Sequence, residues 1–274
     1  LIYGRGTADN KGQHLINLMA FKTLIELRGS LGFNVKVLIE MAEETGSPGL
    51  AEFCAAQRDA LAADVLIASD GPRLMPEVPT MFMGSRGAVN FDLEVRLRNR
   101  AHHSGNWGGL LADPATILVQ ALASLTDARG QIKIAEWRPS SLTPDIRAAL
   151  ARLPTETGGD EVIDPNWGEV GLTSNERVFG WNSFAVLAMK SGVPDAPVNA
   201  ISGHASATCQ LRFVVGTDAD GIVPSLRRHL DRKGFHQVHI IATDKVAFQA
   251  TRVNPDNPWV NFVASSLELS LIHI

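Results

Sequence analysis

Residues 88–97 read AVNFDLEVRL, and this stretch decides the fold. Apolar side chains from Val89 to Leu97 occupy every second position, and polar or charged side chains fill the positions between them. A period of two is typical of a strand in an antiparallel sheet with one buried face. The stretch therefore predicts a half-buried antiparallel strand.

The elements after this strand extend the pattern. We predict strands at Phe184–Met189, Ala205–Val215 and Gln237–Ala242, and helices at Asp113–Thr126 and Asp218–Arg232. The order strand, helix, strand, strand, helix, strand is that of a ferredoxin-like α+β unit. An insertion rich in Pro, Gly and Trp interrupts it at about Gly130–Trp181.

The residues before Gly84 follow another pattern. We predict helices at Gln13–Arg28 and from Ser47-Pro48 onward, and nearly all-apolar strands at Asn34–Met41 and Ala63–Ser69. Buried strands joined by helices indicate a parallel sheet covered on both faces. At Trp259–Leu269 the sequence predicts an apolar helix, which returns to the pattern of this first region. The predicted fold is thus α/β, with a parallel-sheet domain at 1–83 that resumes at 248–274 and an inserted ferredoxin-like domain at 84–247.

Composition narrows the functional classes. The formal net charge of -4 leaves no basic excess to neutralise phosphates, so we expect no nucleic-acid partner. We also expect no membrane partner, because no apolar run reaches the roughly 18 residues that a span needs. Two cysteines far apart in sequence favour a reducing cytoplasm. Because neither end carries a helix cap or a polar tail, we expect the chain to be part of a longer protein.

Acidic residues stand where α/β enzymes place their sites, near the carboxyl ends of strands. Asp9 follows the turn Gly4-Arg5-Gly6, Glu43 and Glu44 follow the first predicted strand, and Asp70 ends the second. Oxygen ligands of this kind suit zinc, manganese or cobalt, with histidines added. Each acid also has a structural interpretation, as a solvated loop, a turn residue or a helix cap.

The adjacent pair Glu43-Glu44 indicates a division of labour. Neighbouring side chains point in different directions, so one carboxylate can bind a metal while the other takes a proton from the attacking water.

Four segments together resemble one known family. They are residues 4–12 (GRGTADNKG), 43–47 (EETGS), 69–71 (SDG) and 103–109 (HSGNWGG). The chain resembles the di-zinc peptidases and deacylases that include carnosinase, carboxypeptidase G, acetylornithine deacetylase and succinyl-diaminopimelate desuccinylase. The segments after the second strand lean toward the carnosinase-like dipeptidases.

The resemblance implies a role for each acidic residue. Asp9 would bridge two divalent metal ions, most often zinc, with manganese or cobalt as alternatives. Glu44 would bind one metal and Asp70 the other, while Glu43 would be the general base. The bond Asp9-Asn10 would be cis.

The resemblance also implies that the inserted domain is a lid that makes a homodimer. His103 would reach the partner's active site and stabilise the oxyanion, and Asn199 would assist the partner's substrate. Arg212 would bind the substrate carboxylate. The neighbouring His102 is interpreted as structural. The strand Ala88–Leu97 and the His103 loop would belong to the dimer interface.

The implied activity is hydrolysis of dipeptides or similar small peptides. The alternatives are an N-acyl amino acid deacylase or amidase on the same fold and, in another class, a non-catalytic dimerising protein. Relatives also bind each metal through a histidine, one before the Gly4 turn and one near the C-terminus, and neither is matched here. We therefore expect the 274-residue chain alone to be inactive.

Overall fold

A computed structural model describes residues 3–7, 9–69, 79–154, 163–242 and 248–271. The chain divides into two compact units, Leu1–Thr80 and Met81–Ile274. Each is described by itself below. The finer domain boundaries at 83/84 and 247/248 stay predictions.

The first unit is built from helices and turns. Its elements are α1 (Lys11–Arg28), a 3-10 turn (Glu43–Thr45), α2 (Leu50–Ala56) and α3 (Arg58–Leu61). Helix α1 ends at Arg28, as predicted, because Gly29 adopts φ 78° and its N–H caps the carbonyl of Ile25.

The strands predicted at Asn34–Met41 and Ala63–Ser69 are wrong as regular elements. Neither segment forms a β-ladder among the described residues, and their apolar side chains are exposed, with Val37 at 56% and Ile67 at 66%. A parallel strand exists only when a neighbour accepts and donates its backbone hydrogen bonds. The described part of the first unit supplies no such neighbour.

The start of α2 also differs from the prediction. The N-cap is Gly49, not Ser47. Ser47 has φ 50°, in the left-handed region, whereas an N-cap serine takes extended backbone angles.

The second unit carries the described strands. They are β1 (Gly84–Ser85), β2 (Gly87–Arg96), β3 (His102–His103), β4 (Ser183–Ser191), β5 (Ala200–Ile201), β6 (His204–Phe213), β7 (Val238–Ala242) and β8 (Thr251–Arg252). The helices are α4 (Ser104–Trp107), α5 (Pro114–Leu125), α6 (Pro144–Leu150), α7 (Ser174–Phe179), α8 (Ile222–Arg232) and α9 (Pro258–Leu271), with a 3-10 turn at Ala135–Trp137. None of the helices in the described ranges is long and apolar enough to cross a membrane.

The main sheet has the order β4-β6-β2-β7, and all of its pairings are antiparallel. Together with α5 and α8 between the strands, this order is the ferredoxin-like topology. The helix predicted from Asp113 is confirmed, because Asp113 is the N-cap of α5 and accepts from the N–H of Ala115 at 3.1 Å. The predicted strands at 184–189, 205–215 and 237–242 correspond to β4, β6 and β7.

The hydrophobic core lies between this sheet and the two helices. Strand β2 alternates as predicted, so that Phe91, Leu93 and Val95 are fully buried while the residues between them are not. They pack with Trp137 and with leucines of α5 and α8. Burial of this kind is the main term that stabilises a sheet-and-helix layer.

Candidate active site

The glycine-rich turn places Asp9 at the start of α1. The carbonyl of Gly4 accepts from the N–H of Thr7 at 3.2 Å and from its hydroxyl at 2.8 Å. The N–H of Lys11 donates to the carbonyl of Gly6 at 2.7 Å. The peptide bond Asp9-Asn10 is cis, as predicted. The N-cap of α1 is Asn10, so capping this helix is not the role of Asp9.

This turn contacts both segments that were predicted to carry the other acids. The side-chain amide of Asn10 donates to the carbonyl of Ser69 at 3.3 Å. A guanidinium nitrogen of Arg5 lies 3.6 Å from Oε1 of Glu44. The turn of Asp9, the glutamate pair and the residue before Asp70 therefore form one neighbourhood in the first unit. Asp70 itself lies outside the described residues.

The glutamate pair lies on a single 3-10 turn. The carbonyl of Ala42 accepts from the N–H groups of Thr45 and Ser47, each at 3.0 Å, and the N–H of Gly46 returns to the carbonyl of Glu43 at 2.9 Å. A 3-10 helix has about three residues per turn, so successive side chains diverge by about 120°. Glu43 and Glu44 are thus held close together but directed apart.

The donor set fits a hard or borderline divalent cation in its chemistry. Asp9 and Glu44 offer carboxylate oxygens, which such ions accept. Within residues 3–69 and the other described ranges, however, no three His, Cys, Asp or Glu side chains form a metal-binding group. A complete site would need Asp70.

In the second unit, His103 is oriented by its own loop. It is the N-cap of α4, and its Nδ1 accepts from the N–H of Gly105 at 3.1 Å. In the neutral imidazole, an accepting Nδ1 leaves the proton on Nε2, which can then donate. A Cβ at position 105 would lie 3.0 Å from Cε1 of His103. The glycine of the His-Ser-Gly motif therefore permits this contact.

His102 and Asn199 frame this loop. The ring of His102 meets Trp107 edge to face at 5.7 Å between centroids, which is a packing role. The carbonyl of Asn199 accepts from the N–H of Ser104 at 2.9 Å, and His103 pairs with Ala200 across β3 and β5. The structure thus brings His103 and Asn199 together.

Arg212 is placed elsewhere in the same unit. It lies on β6 opposite Ala88, and its Nε donates to Oε1 of Gln210 at 3.0 Å. Its guanidinium carbon lies 5.3 Å from the ring centroid of Phe248. Strand β6 separates it from His204, next to the His103 loop, by eight residues, or about 26 Å at 3.3 Å per residue. The structure therefore does not bring Arg212 to His103.

Sequence reasoning missed one neighbour of the acidic site. Arg5, inside the quoted glycine motif, was assigned no role, yet it forms the ion pair with Glu44. Its position between two glycines in a predicted site turn was a signal that could have found it.

Residues 1–270 match the peptidase family M20/M25/M40, and the chain belongs to this family. It is similar to the Beta-Ala-His dipeptidase of Rattus norvegicus, with 38% identity over 135 residues. It is also similar to the Cysteinylglycine-S-conjugate dipeptidase of Corynebacterium striatum, with 29% identity over 196 residues. Among solved structures, it resembles the M20 family metallo-carboxypeptidase Sso-CP2 from Sulfolobus solfataricus, with a TM-score of 0.77 and 25% identity.

The matches differ in how much of each protein they cover. The rat match covers 48% of this chain and 27% of the relative, and the Corynebacterium match covers 67% and 42%. The Sulfolobus match covers 95% of this chain and 60% of that one. The chain thus spans less than two thirds of these relatives.

Proposed function

We propose that the complete protein is a metal-dependent peptidase that hydrolyses dipeptides or similar small peptides. The observation that carries the proposal is the glutamate pair on one 3-10 turn, beside the turn of Asp9, in a chain of the M20 family. Three of the similar proteins described above are peptidases by name, two of them dipeptidases.

Within this proposal the carboxylates divide the work. Asp9, Glu44 and Asp70 would hold two divalent ions, zinc in the first place, which would polarise the scissile carbonyl and acidify water when bound. Glu43 takes a proton from the attacking water and delivers it to the leaving amine. The 3-10 turn supports this division, because it directs the two glutamates apart.

The second unit would bind and orient the substrate. His103 donates from Nε2 to the oxygen that becomes negative in the transition state, a role for which its Nδ1 contact selects the correct tautomer. Arg212 offers a guanidinium to the substrate carboxylate. Asn199 stands beside His103 and would assist the same substrate.

We also propose a homodimer with shared active sites. An extended dipeptide spans about 7 Å, far less than the roughly 26 Å along β6 between Arg212 and the His103 end. One substrate would therefore use Arg212 from one subunit and His103 and Asn199 from its partner.

The order of strands in the sheet restricts which of them can form the proposed dimer interface. Strand β2 pairs with β6 along its whole length and with β7 at Phe91–Val95, so it is an interior strand of the sheet. It can contribute to an interface only through its polar face. Strand β4 is one of the two outer strands of the described sheet, and it exposes Val186, Leu187 and Met189. We propose that this edge contributes to the dimer together with the His103 loop.

A cytoplasmic location is part of the proposal. Cys54 and Cys209 are both free thiols, which suits a reducing compartment.

A substrate screen of the full-length protein tests the proposed function. We expect hydrolysis of dipeptides that stops when a chelator removes the metal and returns when zinc is added. Hydrolysis of N-acyl amino acids but not dipeptides would instead establish the deacylase alternative. Neither activity in protein of verified metal content would favour the non-catalytic alternative.

A further inference from the structure

Arg86 is a half-buried cation for which the proposed mechanism has no role. It lies between β1 and β2, and one of its guanidinium nitrogens donates to the carbonyl of Val178 at 2.9 Å. The backbone next to it is closely packed, because a Cβ at Gly87 would overlap the ring of Phe213. Arg86 is therefore positioned by this hydrogen bond and by the packing of its neighbour.

Arg212 lies in the same part of the sheet. On β6 it faces Ala88 of β2, two residues after Arg86, and Ser183 of β4. Burial lowers the pKa of the Arg86 guanidinium, and the positive charge of Arg212 lowers it further. The two cations therefore repel each other in the folded protein.

No carboxylate in the described ranges neutralises this pair. Neither guanidinium has an Asp or Glu oxygen within 4.0 Å among those residues. Glu169 lines the same cavity as Arg86 but forms no ion pair with it. Like charges held together without a counter-ion are stabilised by binding an anion.

An anion has room to reach Arg86. A cavity of about 290 Å³ is lined by Arg86, Ser183, Phe184 and the indoles of Trp167 and Trp181. Ser183 lines the cavity and is the ladder partner of Arg212, although Arg212 itself is not among the lining residues. The Nε1 of Trp181 is buried without a hydrogen-bond partner among the described residues, so it remains available as a donor.

We propose that Arg86 is a second specificity residue, which together with Arg212 binds the terminal carboxylate of the peptide. This inference rests on the proposed function for the identity of the anion. Two guanidiniums make charge-assisted hydrogen bonds to one carboxylate, which a neutral C-terminal amide cannot replace. The protein therefore selects peptides with a free C-terminus.

Equilibrium binding tests this without relying on turnover. The full-length protein carrying Glu43→Gln is titrated calorimetrically with the dipeptide Gly-Leu and with Gly-Leu amide. We expect the acid to bind about ten- to a hundredfold more tightly than the amide, and Arg86→Gln to remove most of this preference. Arg86→Lys keeps the positive charge but not the planar guanidinium with its paired donors, so it should retain part of the preference for the acid.

Two comparisons separate binding from folding. Arg252 on β8 is a nearby cation whose guanidinium also donates to a backbone carbonyl, that of Ser141 at 3.3 Å. Arg252→Gln should leave the acid/amide ratio unchanged. The effects of Arg86→Gln and Arg212→Gln on the binding of the acid should be non-additive, because both side chains are proposed to bind the same carboxylate.

The outcomes are distinguishable from those of the proposed function. If Arg86→Gln weakens binding of the acid and of the amide equally, the proposed carboxylate-binding role of Arg86 is wrong, even if the wild type hydrolyses dipeptides. The same holds if the Glu43→Gln parent binds the acid no more tightly than the amide. If the preference for the acid over the amide depends on Arg86 but the wild type hydrolyses no dipeptide, the carboxylate-binding role is supported and the proposed function fails.

Discussion

The two units of the chain differ in how their apolar residues are packed. In the second unit, Phe91 and Leu93 are completely buried. In the first, none of residues 3–7 and 9–69 is buried, and Leu15 is 61% exposed. The glutamate pair is held by backbone hydrogen bonds within its own turn, whereas the residues proposed to bind substrate belong to a unit with its own core.

The largest expected effect of a single change is on the core of the second unit. Phe91→Ala should lower the free energy of unfolding by about 3–5 kcal/mol, because it leaves a cavity next to Trp137 and Phe184. Phe33→Ala is the matched control in the first unit, where Phe33 is 59% exposed, and it should cost about 0.5 kcal/mol or less. Denaturant unfolding of both variants measures the difference, and equal losses would contradict the contrast between the units.

A second prediction concerns the shared active site. His103→Ala should lower kcat by about 10² to 10³, the usual effect of removing one oxyanion donor. His102→Ala, which removes the contact with Trp107, should have a much smaller effect on kcat. Mixing inactive His103→Ala and Glu43→Gln protomers should restore part of the activity, because one site of each mixed dimer is then intact. No recovery in verified mixed dimers would rule out sharing.

The ferredoxin-like unit was predictable because its signal is local. Strict alternation in β2 and the Asp113 cap of α5 each specify their element without knowledge of the rest. The strands predicted at 34–41 and 63–69 were wrong because all-apolar runs have no periodicity, and a parallel strand depends on its neighbours. Arg86 was missed for a related reason: its relation to Arg212 follows from the register of two strands far apart in sequence.

A smaller effect is expected at the N-cap of α7. Thr173 accepts from the N–H of Glu176, and the Glu176 side chain accepts from the N–H of Thr173, so the two form a capping box. Thr173→Ala should cost about 0.5–2 kcal/mol in unfolding free energy. Thr143, the N-cap of α6, makes no such side-chain bond, so Thr143→Ala should be close to neutral. Thermal unfolding of the pair checks this, and similar shifts would show that the box contributes nothing.

The smallest expected effect is a pH dependence from His229. Burial is the main cause that lowers the pKa of this imidazole, with Lys233 and Arg232 adding to it. In the unfolded chain this histidine binds a proton near pH 6.5, whereas in the folded protein it does so only at lower pH. The free energy of unfolding should therefore fall as the pH drops below about 6.5. His229→Gln should flatten this slope below about pH 6.5, whereas His239→Gln, on the exposed face of β7, should not. An unchanged slope in His229→Gln would assign the effect to other groups.

The most direct test of the central claim is to measure metal content and dipeptide hydrolysis side by side for Glu43→Gln and Glu44→Gln in the full-length protein. Substituting a proton-transferring glutamate should lower kcat, whereas substituting a metal-binding glutamate should release metal. Glu43→Gln should keep its metal and lose about 10² to 10⁴ in kcat, while Glu44→Gln should lose metal itself. If both variants release metal to the same extent and retain the same residual activity, the division of labour on the 3-10 turn is contradicted.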